Sequence, residues 1–222
     1  MKKSFLSLIF CITALTVSAH ETTCRLAPGA MENFRSLLNN PGFVQPTRVT
    51  SLERGWFRIE SDIHMFTDEV SFEQLAAVLS DRENISRYFQ GRRNRAEPTL
   101  VQRYGDVLIM DFVATTSVVG LQVRTAYRTT VTNVVNNETA ICIELVQLDS
   151  DSNTNNSVRN LFISRYAESV SIDGRTYAYI RFVVRNEVNT SIAPVTRNAL
   201  ERNANAAGME AIQLLITAAK GK

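Results

Sequence analysis

PVTRNALERNANAAGMEAIQLLITAA, residues Pro194 to Ala219, is the stretch whose reading decides the fold. It reads as a single helix, and at ~1.5 Å per residue its 26 positions would run roughly 39 Å, enough to cross a small domain. A rod of that length needs a broad surface beneath it. The chain supplies one immediately upstream, because Thr99 to Val188 is almost entirely strand-like, with apolar residues recurring at a period of two. The expectation is a helix lying across a curved antiparallel sheet.

Working outward, three hairpins divide the strand-rich region. Thr99–Tyr104 and Val107–Thr116 flank Gly105-Asp106; Leu121–Val135 and Glu138–Leu148 flank Asn136-Asn137; Val158–Ile172 and Arg175–Val188 flank Asp173-Gly174, the strongest turn signal of the three. A seventh strand precedes them at Gly55–His64, where Phe57, Ile59 and Ile63 alternate with Arg58, Glu60 and Asp62. Between it and the first hairpin, Ser71 with Gln74 three residues on forms a capping-box signature, and Phe72, Leu75, Ala76 and Leu79 supply the apolar face of the helix that follows. That helix ends near Ser80-Asp81, Asn84–Phe89 adds a second short turn, and Gly91–Pro98 reads as a loop. Upstream of all this, Ala30–Asn39 has the spacing of a short helix and Pro46–Arg54 reads as a connector.

The N-terminus has a separate character. Lys2 and Lys3, the apolar run Phe5–Val17 and the small residues Val17-Ser18-Ala19 make a secretory signal peptide over residues 1–19, too short to span a bilayer. Its removal leaves 203 of the 222 residues and takes the formal charge from +2 to zero, which argues against a nucleic-acid-binding role. The expected location is the periplasm or the exterior. Two cysteines, Cys24 and Cys142, then remain in a compartment where disulfides persist, and two readings stand: a bridge from the N-terminal segment to a strand, or a small buried side chain at Cys142 between Ile141 and Ile143.

The order strand, helix, six-stranded meander, long C-terminal helix resembles the helix-grip fold of the START-like (SRPBCC) superfamily. The resemblance is carried by Ser71-Phe72-Glu73-Gln74 leading to Asp81-Arg82-Glu83-Asn84-Ile85-Ser86-Arg87-Tyr88, by Gly174-Arg175-Thr176-Tyr177-Ala178-Tyr179-Ile180-Arg181, and by the terminal helix. It covers Gly55 to Ala219, within a domain taken as residues 55–222, and leaves residues 20–54 as an extension. It implies an α+β fold in which about seven strands curl around the last helix, with an apolar cavity between them for a lipid, sterol or polycyclic ligand. The residues agree in one respect: Asn203, Ala204, Ala206, Ala207, Gly208 and Ala211 keep the first half of the helix small, while Ile212, Leu214, Leu215 and Ile216 make the second half bulky. Small side chains can leave volume beneath the helix or let helix and sheet approach closely, and patterning alone does not separate the two.

Pairing the third hairpin across Asp173-Gly174 sets Ile172 opposite Arg175, Arg165 opposite Phe182 and Ala167 opposite Ile180. Arg165 is then the one charged member of an apolar face, either held in a structural pair or placed to receive a ligand's polar head. The expected ligand-binding residues are Phe57, Ile59, Met110, Phe112, Arg165, Ile180, Phe182, Ala207 and Ala211, and the expected function is binding or transport of a hydrophobic small molecule or lipid. On the opposite face Tyr166, Glu168, Tyr177, Tyr179 and Arg181 read as an exposed stripe, and His64 as a surface histidine. Arg92, Arg93 and Arg95 form a basic loop that could touch a membrane peripherally. No cofactor or metal is implied: there is no zinc-like cluster, phosphate loop or nucleophile motif. Asp149, Asp151 and Asn153 open like a calcium loop, but Thr154 and Asn160 stand where glycine and a bidentate glutamate are required. Two alternatives complete the reading. One is an enzyme of the cyclase or hydrolase type using Asp111, Arg165 or Tyr127; the other is an envelope interaction module that presents the Tyr/Arg stripe.

Overall fold

The period-two run folds into one antiparallel sheet, and the terminal stretch into one helix across it. The computed structural model describes residues 23–89, 94–118, 121–148, 158–190 and 196–222. The expected signal peptide, Arg92, Arg93 and the 149–157 linker lie outside the described residues. The strands are β1 (Gly42–Phe43), β2 (Arg48–Ser51), β3 (Trp56–Thr67), β4 (Asn94–Tyr104), β5 (Val107–Val118), β6 (Leu121–Asn136), β7 (Ala140–Gln147), β8 (Val158–Ile172) and β9 (Arg175–Asn189). The helices are α1 (Phe34–Leu37), α2 (Phe72–Ser80) and α3 (Arg197–Lys220), with 3-10 turns at Glu53–Gly55 and Ile85–Phe89. Strand order is β1-β3-β9-β8-β7-β6-β5-β4, and β2 also pairs with β3. A large antiparallel open sheet gripped by a long C-terminal helix is the helix-grip α+β architecture.

Local chemistry explains the boundaries. Ser71 accepts from the Gln74 backbone while the Gln74 side chain accepts from the Ser71 N–H, so the capping box starts α2 as expected. Thr196 caps α3 in the same manner through Ala199. Asp173 and Gly174 both adopt positive φ, 51° and 76°, the left-handed pair a two-residue hairpin requires. This turn fixes Ile172 opposite Arg175, and the register carries through to Arg165 opposite Phe182 as anticipated.

Four expectations need correcting. Residues 94–98, read as loop, belong to β4: Pro98 stands opposite Phe112, which an edge strand tolerates because one side of its backbone needs no partner. The second turn sits at residues 137–139 rather than Asn136-Asn137, because Asn137 Oδ1 accepts from the Thr139 and Ala140 N–H groups. Residues 48–51 form β2, whose single buried residue, Val49, gives no periodicity to read. The helix expected over Ala30–Asn39 is confined to the single turn α1, preceded by turns.

The alternation of the strands sorts two faces. The concave face carries Ile63, Met65, Leu108, Met110, Phe112, Val131, Ile143, Ile180 and Phe182, which pack with Ala211, Ile212, Leu215 and Ile216 of α3 and with Leu75, Val78 and Leu79 of α2. Each large apolar side chain buried there contributes roughly 1.5–3 kcal/mol. Helix and sheet touch most closely at Gly208, where an added Cβ would lie 1.8 Å from Ile63 Cδ1. Close approach is therefore what the small side chain does at this position. Gly208→Ala is expected to cost about 1–3 kcal/mol of overpacking, offset by about 1 kcal/mol of helix propensity, so that a urea titration reads a net loss.

The convex face is covered. Residues 23–38 run over it as a strap, packing Ala27, Ala30 and Leu37 against Phe66, Tyr166 and Tyr179. The stripe expected to be exposed is thus largely buried: Tyr179 is 0%, Tyr166 4% and Arg181 7% accessible. Arg181 forks onto Asp62 at 2.9 and 2.7 Å, and its Nη1 donates to the Thr23 and Arg25 carbonyls. His64, expected at the surface, is 1% accessible, held between Tyr179 Oη at 2.7 Å and Asp62 at 3.1 Å. Cys24 and Cys142 are disulfide-bonded, with Cα atoms 5.5 Å apart, which decides between the two readings of the cysteines.

Candidate functional site

The site is built from inward-pointing positions of β5, β6, β8 and β9. Arg165 stands on β8 between Ile143 of β7 and Phe182 of β9, 6% accessible, with its guanidinium carbon 5.7 Å from the Phe182 ring centre. Burial pulls its pKa down to about 10, and the neighbouring Tyr127 hydroxyl partly opposes the fall, so the group is a cation at neutral pH. Tyr127 stacks on Phe112 across β5–β6, ring centres 5.7 Å apart and planes 22° apart. Burial pushes its hydroxyl up to about 12, so it remains a neutral O–H donor. Two residues along β6, Thr129 is fully buried on the same face, and among the described residues its Oγ1 makes no hydrogen bond.

Asn186 on β9 and Asn205 on α3 also hold buried Oδ1 atoms without a hydrogen-bond partner among the described residues. Such atoms cost about 1–3 kcal/mol each unless something binds them. Around them the burial is uneven. Ile163, Val184 and Tyr127 are only half-buried although flanked by core residues, and between Arg197 and Ala207 helix α3 buries Leu200 alone. From Gly208 onward it buries Gly208, Ala211, Ile212, Leu215, Ile216 and Ala219.

The expected site residues all lie between the sheet and α3, in two groups. Met110, Phe112, Ile180, Phe182 and Ala211 belong to the main core with Arg165 beside them. Phe57 and Ile59 join Val49, Val188, Leu200 and Ala204 in a separate cluster under the start of α3, and Ala207 is half-buried on the helix. Thr129, Asn186 and Asn205 were missed. Thr129 would have followed from Met110 had the β5–β6 register been counted, since the two stand opposite each other. Asp111, the candidate acid or base of the enzyme alternative, points outward and forks with Arg128 at 2.6 and 2.8 Å, so it does not reach the interior.

On the convex side Asp62, His64 and Tyr179 make a hydrogen-bonded row that resembles a relay, yet the strap covers it. Burial alone would raise the Asp62 carboxyl, but hydrogen bonds from His64 and Arg181 outweigh that and hold it at about 2. Its arrangement fastens the strap. Cys24, Cys142 and Glu144 are grouped closely enough for a metal, but the two sulfurs are spent on each other. A shallow, open depression of about 370 Å³, lined by residues 25–29, Met31 and Glu32, sits on the strap itself. Among the described residues no helix is long and apolar enough to cross a membrane.

No protein-family model matches the sequence, and no curated protein matches it. Solved structures with a similar fold include a protein of Thermus thermophilus, at 9% identity over 73% of this chain and 97% of that one, with a TM-score of 0.48. The Zhui aromatase/cyclase of a Streptomyces species is similar at 11% identity over 74% and 94%, with a TM-score of 0.43. A START superfamily protein of Mycobacterium smegmatis is similar at 14% identity over 74% and 97%, with a TM-score of 0.45.

Proposed function

We propose that the protein binds or carries a hydrophobic small molecule between the concave face and the N-terminal half of α3, and that it does so after export from the cytoplasm. One observation carries the reading. The helix buries six residues against the sheet from Gly208 onward but Leu200 alone before it, while Ile163, Val184 and Tyr127 on the same apolar face of the sheet stay half-buried. Apolar burial at ~25 cal/mol per Å² would supply the affinity, and a few polar groups would set orientation. The nine expected residues, with Tyr127 and Thr129, are the proposed lining.

Export is supported by the signal-like residues 1–19 and by the Cys24–Cys142 bridge, which suits an oxidising compartment. Peripheral membrane contact would rest on Arg95, exposed at the start of β4, with Arg92 and Arg93 before it in sequence. Native mass spectrometry of gently purified protein tests the binding reading. The expected spectrum shows an apolar adduct, or its uptake after delipidation. Protein that stays ligand-free when offered fatty acids, sterols and hydrophobic dyes would overturn the proposal.

A further inference from the structure

One row of inward-facing positions crosses the concave face and is polar at three places. Met110 of β5 stands opposite Thr129 of β6, and Thr129 opposite Gln147 of β7. The Leu161 N–H of β8 donates to Gln147 Oε1 at 3.0 Å. Asn186 follows on β9, one residue past the Arg185–Phe162 pair and directly opposite Ile59 of β3. With neighbouring strands about 4.8 Å apart, Thr129 and Gln147 are adjacent and Asn186 lies roughly 10 Å beyond Gln147. Two residues from this row, on the same strands and the same face, stand Tyr127, Ile163 and Val184, the half-buried positions on which the binding reading rests.

The three groups are uncharged and include both donors and acceptors. Thr129 is fully buried, and its Oγ1, able to give or take a hydrogen bond, makes none among the described residues. Gln147 spends its carbonyl oxygen on Leu161 and keeps its Nε2 amide to donate. Asn186 offers a buried Oδ1 acceptor that is unmet among the described residues, and α3 adds the buried Asn205 Oδ1 and Asn203 Nδ2, likewise unmet. Arg165 stands apart, four residues along β8 from Leu161 and with an interaction of its own. A carboxylate here would set its oxygens against acceptors and carry a charge into surroundings that cannot hydrate it. An ether, ester or ketone accepts but leaves the Asn186 oxygen unmet. A hydroxyl donates and accepts, so it suits either end of the row. We infer that Thr129, Gln147 and Asn186 are the polar subsite of the cavity, and that it takes the hydroxyl of a neutral apolar alcohol or phenol. This rests on the proposed binding function and narrows it to a chemical class. The apolar body can be an aliphatic chain or a fused aromatic ring, and the test separates the two.

The experiment is calorimetric titration of delipidated protein with dodecanol, dodecyl methyl ether and dodecanoic acid, and with 2-naphthol, 2-methoxynaphthalene and 2-naphthoic acid. In a series whose body fits, the hydroxyl compound is expected to bind about 10- to 100-fold more tightly than its ether, the gain of meeting buried groups that the ether leaves unmet, and more tightly than its acid. Preference within one series alone identifies the aliphatic or the aromatic body. Thr129→Val, nearly isosteric, and Asn186→Leu remove the two ends of the row separately. At least one of them should bring the hydroxyl compound down to the affinity of its ether, and the variant that does so locates the hydroxyl. Asn186→Ala takes the place of Asn186→Leu if the larger side chain prevents folding. Ether or acid binding as tightly as the hydroxyl compound in the wild type, or a hydroxyl preference that survives substitution at both positions, overturns the inference while leaving apolar binding intact. Binding of none of the six probes overturns both.

Discussion

Replacing Cys142 with serine is expected to lower the unfolding free energy by about 5 kcal/mol, because the bridge to Cys24 closes a loop across a sequence separation of 118 residues. For a domain of this size that is a fall in Tm of roughly 10–20 °C, read by circular dichroism. Cys24→Ser should give the same loss, and the double variant no more than either alone, since all three remove one constraint. A reduced wild-type protein should match them. Equal melting of oxidised and reduced protein would show that the strap is held without the bridge.

The second large effect is expected at Arg181. This buried side chain forks onto the half-buried Asp62 and reaches two carbonyls of the strap, so Arg181→Met leaves the Asp62 carboxylate to His64 alone and at the same time releases the strap backbone. Breaking such a pair costs about 3–5 kcal/mol. Amide exchange over residues 23–38 should accelerate in the variant while α2 and the second half of α3 keep their protection. The same pair gives a pH signature. The folded-state pKa of Asp62 is depressed from 3.8 to about 2, so its stabilisation, about 2 kcal/mol, is fully present above the unfolded value. It is lost as pH falls through about 4 towards 2. Asp62→Asn should flatten the stability profile in that window and be less stable than wild type at neutral pH.

These effects lie in the part of the chain that was least legible. The strap has no regular element beyond one helical turn, and its apolar residues, Ala27, Ala30, Leu37 and Phe34, are too few to show what they cover. A stripe such as Tyr166, Tyr179 and Arg181 looks the same in sequence whether water or another segment lies on it. His64 was misplaced for the same reason, because its burial depends on residues about 40 positions upstream. Where interactions are local the reading held. The capping box at Ser71, the Asp173-Gly174 turn and the register that sets Arg165 beside Phe182 each depend on a few adjacent residues and simple counting. The candidate site falls between these extremes. Its β8–β9 half, with Arg165 and Phe182, follows from a clear turn, whereas its β5–β6 half, with Phe112 facing Tyr127, joins across Val118 and Leu121 without a strong turn signal. Gly208 of α3 lies against Ile63 while Val184 on β9 stays only half-buried, so a run of small helix residues does not by itself report how closely helix and sheet approach.

The unfolding free energy of Val184→Phe tests the central claim, that the concave face opposite the first half of α3 encloses usable space. With room for the larger ring, the variant should stay within about 1 kcal/mol of the wild type in a urea titration, as a substitution that strains nothing does. A loss of about 1–3 kcal/mol, the ordinary penalty for forcing extra atoms into a filled core, would contradict it.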